Sequence, residues 1–424
     1  MKRIFGLIAL LALLTSSYGQ GPRSFVPGKP EENGMSPERL ARIDRMLNEF
    51  VSKGQAPGVI GLIIRNGKIV YHKSFGYSDV ENKTPLRNDD IFRIASQSKA
   101  VTALAVMMLW EEGKFLLDEP VSKYIPEFKN PKVLLGFNKK DSTYWTEPAK
   151  SEITIRQLLT HTSGIDYASI GSEEFKAIYA KAGVPSGIGI ANYSDVLGDK
   201  IKILGKLPLK HHPGEKYTYG LNNDVLGYLV EVLSGMSFDE YLKKRIFDPL
   251  GMKDTYFYLP KEKHSRLVNL YEFKNERLVK VAATVYDKVS PDYPLHEGKY
   301  FSGGAGLSST VEDYAKFLQL FLNKGEFNGV RLLGRKTVEL MLTSQLQPPL
   351  TNKVGLGFGL ETAENDFQSP FSIGTFSWGG AFSTQYWADP KEKLIGVIYT
   401  NVYATPYWNT GDKYKALVYQ AIAD

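Results

Sequence analysis

The sequence predicts an α+β fold: one antiparallel sheet built from both chain ends with flanking helices, plus an inserted, mainly helical lobe. Three observations predict it. Strand-like runs around a tight-turn signal lie near the start, strand-like runs return near the end, and helix signals dominate the middle. Of the 424 residues, 43% are hydrophobic and 23% charged, a balance that excludes wholesale disorder.

Taken in order, Lys2 and Arg3 precede an apolar run over 4–14 and then small or polar residues. Eleven apolar residues are too few for a bilayer, which needs ~20, so 1–19 reads as a secretory signal cleaved near Gly19. A Pro/Gly-rich arm occupies 20–35, and 36–424 is one catalytic domain. Within it the sheet lobe spans about 36–95 and 300–424, and the helical lobe about 96–299. Ser36-Pro37 is an N-cap followed by a first helical residue, and Leu40, Ile43, Leu47 and Phe50 recur at helical spacing. Asn66-Gly67 joins strands over 59–65 and 68–75 as a hairpin. Helices over 100–109 and 224–234 end at Gly113 and Gly235. Strands follow over 371–378, 382–388 and 394–400, the last two joined by a turn at 389–392, and a helix over 409–423 closes the chain. A cleft between the two lobes is the expected place for a site.

Composition and motif absences remove several chemistries. With no cysteine there is no disulfide, iron–sulfur cluster, thiolate zinc site or cysteine nucleophile. The histidines 72, 161, 211, 212, 264 and 296 form no His-Glu-x-x-His pair, so no metal is expected. The glycine-rich stretches lack dinucleotide spacing, and neither a Gly-Lys-Ser/Thr nor a Gly-x-Ser-x-Gly occurs. The net charge of +6 falls by two with the loss of Lys2 and Arg3, too mild for a nucleic-acid partner. No further run reaches transmembrane length, so an exported protein without a stable membrane anchor is expected.

What remains is nucleophilic catalysis by other side chains. Ser96-Gln97-Ser98-Lys99 is the one Ser-x-x-Lys of the chain and opens the long apolar helix. Residues three apart share a helix face, so Lys99 can reach the Ser96 hydroxyl. A first helical turn has unpaired backbone N–H groups and a positive dipole end, which suit a developing oxyanion. By spacing alone the same tetrad also reads as a Ser N-cap followed by a solvated Lys.

Further blocks stand in series along the chain. Leu117-Asp118-Glu119-Pro120-Val121 is followed by residues 155–164, from Ile155 to Thr160-His161-Thr162-Ser163-Gly164. Then come Pro213-Gly214-Glu215 with Tyr217 and Tyr219, Pro249-Leu250-Gly251-Met252, residues 303–310 from Gly303 to Thr310, and Trp378-Gly379-Gly380. In this set the chain resembles the serine β-lactamase and penicillin-binding-protein superfamily, specifically the class C β-lactamase-related branch that includes carboxylesterases. The resemblance covers about 36–424 and implies a β-lactamase/transpeptidase-like fold. It implies that Ser96 is the acylated nucleophile, Lys99 its activating base and Tyr219 the phenol that shuttles protons, with Tyr217 the competitor. It also implies an oxyanion hole from the backbone N–H groups of Ser96 and Ala381, beside a substrate-binding strand at Trp378, Gly379 and Gly380. No cofactor is implied.

Two departures bear on substrate. The family's Tyr-x-Asn is here Tyr219-Gly220-Leu221, with Asn222 as the candidate replacement for the missing amide. The cationic or imidazole residue of the third motif is Trp378, which offers an apolar wall instead of a charge for a carboxylate. Both favour a carboxylesterase on small esters. The alternatives are a β-lactamase, DD-peptidase or D-amino-acid amidase on cell-wall-like amides, or a ligand-binding protein that keeps the fold. His161 is assigned a structural role near a helix end capped by Gly164. The loops at 167–200 and 267–299 are expected to set specificity.

Overall fold

The computed structural model describes residues 25–187, 193–286 and 288–424, so the expected signal at 1–19 and the first part of the arm lie outside the described residues. Asn66 and Gly67 both take positive φ, 53° and 74°, the two left-handed positions of a tight hairpin turn. They join β1 (Gly58–Arg65) to β2 (Lys68–Asp79). From the other end of the chain come β3 (Phe376–Gly380), β4 (Thr384–Asp389) and β5 (Leu394–Tyr399). The antiparallel order is β2-β1-β5-β4-β3, so the first and last parts of the chain meet where β5 pairs with β1. Two-residue strands close the edges: Val26–Pro27 runs parallel to β2, and Gly359–Leu360 pairs with β3.

The central strands are buried on both faces, and alternate residues serve two cores. Ile60, Leu62, Ile395, Val397 and Tyr399 face one core. Val59, Ile63, Leu394, Ile398 and Trp387 face the other. The second core is covered by α1 (Pro37–Ser52), through Leu40, Ile43, Leu47 and Phe50, and by the C-terminal helix α5 (Thr410–Tyr419). The Ser36 hydroxyl caps α1 by accepting the Arg39 N–H at 3.3 Å.

The first core holds α2 (Ser98–Glu111), α3 (Asn222–Ser234) and α4 (Val311–Leu322). Every residue of α2 from Ser98 to Leu109 is buried, so this helix has no polar face and forms the centre of the molecule. Helices α2 and α3 pack together, and α4 lies against β1, β4 and β5.

Several elements differ from expectation. The strand expected over 371–378 begins only at Phe376, because Gly374 turns the chain with φ 95°. The middle of the chain carries two small hairpins, Lys132–Phe137 with Tyr144–Pro148 and Tyr271–Lys274 with Arg277–Lys280. Gly164 is not a helix cap: the helix Ile155–Leu159 ends at Thr160, and the left-handed residue after it is His161, φ 57°.

Leu47 is 0% exposed in the α1 seam. Leu47→Ala should lower the unfolding free energy by about 2–5 kcal/mol in urea titration. A loss under about 1 kcal/mol would mean that α1 is not docked as described.

Candidate active site

The segment leading to Ser96 is fixed from several sides. Phe92–Arg93 pairs with Ser308–Ser309, and the Ile94 N–H donates to the Leu307 carbonyl at 3.1 Å. Arg93 is fully buried and donates to the carbonyls of Val268 and Pro291 at 2.6 and 2.7 Å. Ala95 then takes φ 44°, a left-handed value costly for a residue with a Cβ. The turn that follows is pinned by Ser98 Oγ, which donates to the Ala95 carbonyl at 2.7 Å and accepts the Leu307 N–H at 3.1 Å. Tyr314 donates to the Gln97 carbonyl at 2.9 Å. Ser96 emerges 8% exposed, one residue pair ahead of α2.

Lys99, 3% exposed on the first turn of α2, points its Nζ back at this serine. Nζ lies 3.2 Å from Ser96 Oγ, 2.8 Å from the Tyr167 hydroxyl and 2.7 Å from the Gly304 carbonyl. The carbonyl can only accept, so it orients one N–H. The other two neighbours are hydroxyls that can donate or accept. Ser96 Oγ and Lys99 Nζ can therefore exchange a proton without any heavy atom moving.

Tyr167 is the residue the motif reading misses. It is fully buried, 68 positions from Lys99 in sequence, and no local spacing marks it. Its loop is zipped to the segment that carries Tyr219. Thr218 N–H donates to the His161 carbonyl at 2.7 Å, and Leu221 N–H to the Asp166 carbonyl at 3.3 Å. The rings of Tyr167 and Tyr219 lie 5.4 Å apart, and Lys99 Nζ sits 4.6 Å from the Tyr219 ring centroid. Burial, with Tyr219 and Asp224 nearby, raises the Tyr167 phenol well above its ordinary value, so it stays protonated. Tyr219 is half-buried and stands between Lys99 and the Trp378 ring, 6.0 Å away. Tyr217 lies on another side of His161, ring centroids 5.9 Å apart.

His161 packs on Tyr219 at 4.8 Å and is held at Nδ1 by Asn222 Nδ2, 3.0 Å. Burial, reinforced by Lys99, pushes its pKa down to about 3, so it is neutral near pH 7 and serves as packing rather than as an acid. The same contacts correct the expectation for Asn222. Its side chain is fully buried, bonded to His161 and accepting from the Ser163 hydroxyl, and cannot meet a substrate. Asn223, one position on, lines the cavity beside Lys99 instead.

A second group without a sequence signal is Asp224, on the first turn of α3 and 0% exposed. The Tyr300 hydroxyl donates to its Oδ1 at 3.3 Å. A Cβ added at Gly304 would lie 2.7 Å from Asp224 Oδ2 and 3.6 Å from Lys99 Nζ, so glycine lets this loop pass between the two side chains. Burial raises the Asp224 pKa to about 6, opposed by Ser302, Lys99 and Tyr300.

β3 completes the cleft. A Cβ at Gly380 would lie 2.2 Å from the carbonyl oxygen of Ile94, so the strand runs against the backbone two residues before Ser96. That approach brings the strand end at Ala381 to the Ser96 turn. Trp378 closes a narrow cavity with Lys99, Leu159, His161, Val354 and Phe358. Among the described residues no cluster of potential metal ligands occurs, and no helix is long and apolar enough to cross a membrane.

Comparison with known proteins agrees with this geometry. The Beta-lactamase family model matches residues 43–420. An uncharacterized protein of Mycobacterium tuberculosis is 31% identical over 364 residues, 82% of this chain and 86% of its own. Esterase EstB of Burkholderia gladioli is 28% identical over 377 residues, 85% of this chain and 90% of its own. Among solved structures, EstCE1, a hydrolase with promiscuous acyltransferase activity, superposes with a TM-score of 0.77 at 24% identity, covering 90% of this chain and 98% of its own. The chain, with its Ser-x-x-Lys turn set between sheet and helices, therefore belongs to the Beta-lactamase family and is a serine hydrolase.

Proposed function

We propose that the protein is an exported carboxylesterase that hydrolyses small esters through an acyl-enzyme on Ser96. The observation that carries this reading is the Ser96–Lys99–Tyr167 contact set closed by an uncharged strand, Trp378-Gly379-Gly380. In the first step Ser96 Oγ attacks the ester carbonyl while its proton passes to Lys99. The oxyanion rests on the N–H groups of Ser96 and Ala381. Tyr219, whose ring lies against the Lys99 amine, gives its own phenol proton to the departing alkoxide and is reprotonated by the Lys99 cation. In deacylation the water's proton passes through the Tyr219 oxygen to the now neutral Lys99, which returns one to Ser96 Oγ as the acyl group leaves. Tyr167, too basic to ionise, holds Lys99 in place. Export rests on the basic-then-apolar segment at 1–19.

Two features support an ester over a β-lactam or peptide. Trp378 stands where a cation would meet a substrate carboxylate, and Leu221 and Asn222 are both fully buried. EstB, an esterase by name, matches most of the chain.

Ser96→Ala should abolish turnover of p-nitrophenyl butyrate with an unchanged circular dichroism spectrum. Faster turnover of nitrocefin or of a D-Ala-D-Ala peptide by the parent protein would contradict the ester assignment. Tyr219→Phe should lower kcat ~100-fold or more, the range of a lost proton-transfer group, and Tyr167→Phe only ~10-fold. The reverse ranking would exchange their roles.

Asp224 gives a pH prediction. Ionised, it stabilises the Lys99 cation formed when the serine proton arrives, so kcat/KM should rise through pH about 6, and this rise should vanish in Asp224→Asn. The sign for stability is opposite. With the folded pKa raised to about 6 from 3.8, the folded state binds the extra proton between those values and loses stability as pH increases across them. The stability gap between Asp224→Asn and the parent should therefore shift toward the variant from pH 4 to pH 7 in thermal melts. A constant gap would place the titration elsewhere.

A further inference from the structure

Successive residues of β3 point to opposite faces of the sheet. Trp378 packs toward Lys99, Leu159 and His161, with little free space between them. Position 379 faces the other way and carries no side chain. A Cβ built there would lie 3.3 Å from Cζ2 and 3.6 Å from Cη2 of Trp408. The Trp408 indole thus occupies the space beside the strand that a side chain at 379 would otherwise use.

Trp408 is held from behind and open in front. Its carbonyl accepts from Gln385 Nε2 at 3.3 Å, and its neighbour Tyr407 packs on Phe273 and Phe50 at 5.4 and 6.4 Å. The Trp408 side chain nonetheless remains 46% exposed. Ser383, Gln385, Thr405 and Thr410, which share the pocket beneath it, are all uncharged. A half-exposed indole on an anchored backbone, against Gly379 two positions before Ala381 on the strand, is a stacking surface with no charged residue in the pocket beneath it.

We propose that Gly379 and Trp408 form the leaving-group subsite, and that it takes the planar alcohol of an aryl ester. This rests on the reading of Ser96 as the acylated nucleophile. The division follows from the two faces of the strand. The Trp378 face is filled by Lys99, Leu159 and His161, whereas the exposed side of the Trp408 indole beside Gly379 is free to take the alcohol. Stacking on Trp408 orients the C–O bond to be broken, and the phenol leaves from that side after it is protonated.

The test compares phenyl acetate with hexafluoroisopropyl acetate, two esters with the same acyl group and acidic alcohols of which only one is planar. In Trp408→Ala the ratio of kcat/KM for phenyl over fluoroalkyl acetate should fall about three- to tenfold, and Trp408→Phe should restore most of it. A binding arm needs no turnover: in calorimetry, 2-naphthol should bind Ser96→Ala about three- to tenfold more tightly than Ser96→Ala carrying Trp408→Ala. An unchanged ratio with equal naphthol affinities overturns the subsite and leaves the esterase reading standing. Absence of ester turnover by the parent, together with no phosphonate adduct at Ser96, overturns both.

Discussion

The amino group of Lys99 is the point on which the structure converges. Its three neighbours come from three remote places: Ser96 from the turn before α2, Tyr167 from the loop after the helix Ile155–Leu159, and Gly304 from the loop before α4. Only the Gly304 carbonyl has a fixed hydrogen-bond direction, and it orients the nitrogen for exchange with two reversible hydroxyls. A lysine buried to 3% exposure without such acceptors would be costly. The apolar packing of α2, buried from Ser98 to Leu109, holds that nitrogen where all three segments can reach it.

Electrostatic and aromatic groups complete the setting. Tyr167 and Tyr219 present their rings to Lys99 at 5.5 and 4.6 Å, and Asp224 supplies a nearby counter-charge above its own pKa of about 6. His161, held neutral, braces Tyr219 from behind. The opposite wall, β3, contributes backbone and indole instead of charge. Ionisable groups thus cluster on the helical side of Ser96, while the strand on the opposite wall is uncharged and has a tryptophan on each face.

Features fixed by neighbours in sequence were legible from it. The Asn66-Gly67 turn, the Ser36-Pro37 start of α1 and the three-residue step from Ser96 to Lys99 each depend on a few adjacent residues, and each has the geometry its spacing implies. Features fixed across the fold were not. Tyr167 meets Lys99 only because residues 161–166 pair with 214–221, and Asp224 meets it only because a glycine loop lets two helices close on each other. Asn222 was misread because its position beside Leu221 says nothing about facing: it opens α3, where Ser163 and His161 take up its amide. The strand expected from 371 shows the same limit, since an apolar run does not reveal that Gly374 turns the chain.

The central claim is that the Lys99 contacts serve a covalent step at Ser96. Peptide mapping by mass spectrometry, on protein quenched with acid during turnover of p-nitrophenyl butyrate, tests it most directly. The account predicts one butyryl group on the peptide that carries Ser96, absent when Lys99 is replaced by methionine. A butyryl group on any other peptide, or hydrolysis at full rate with no acylated peptide trapped, would contradict it.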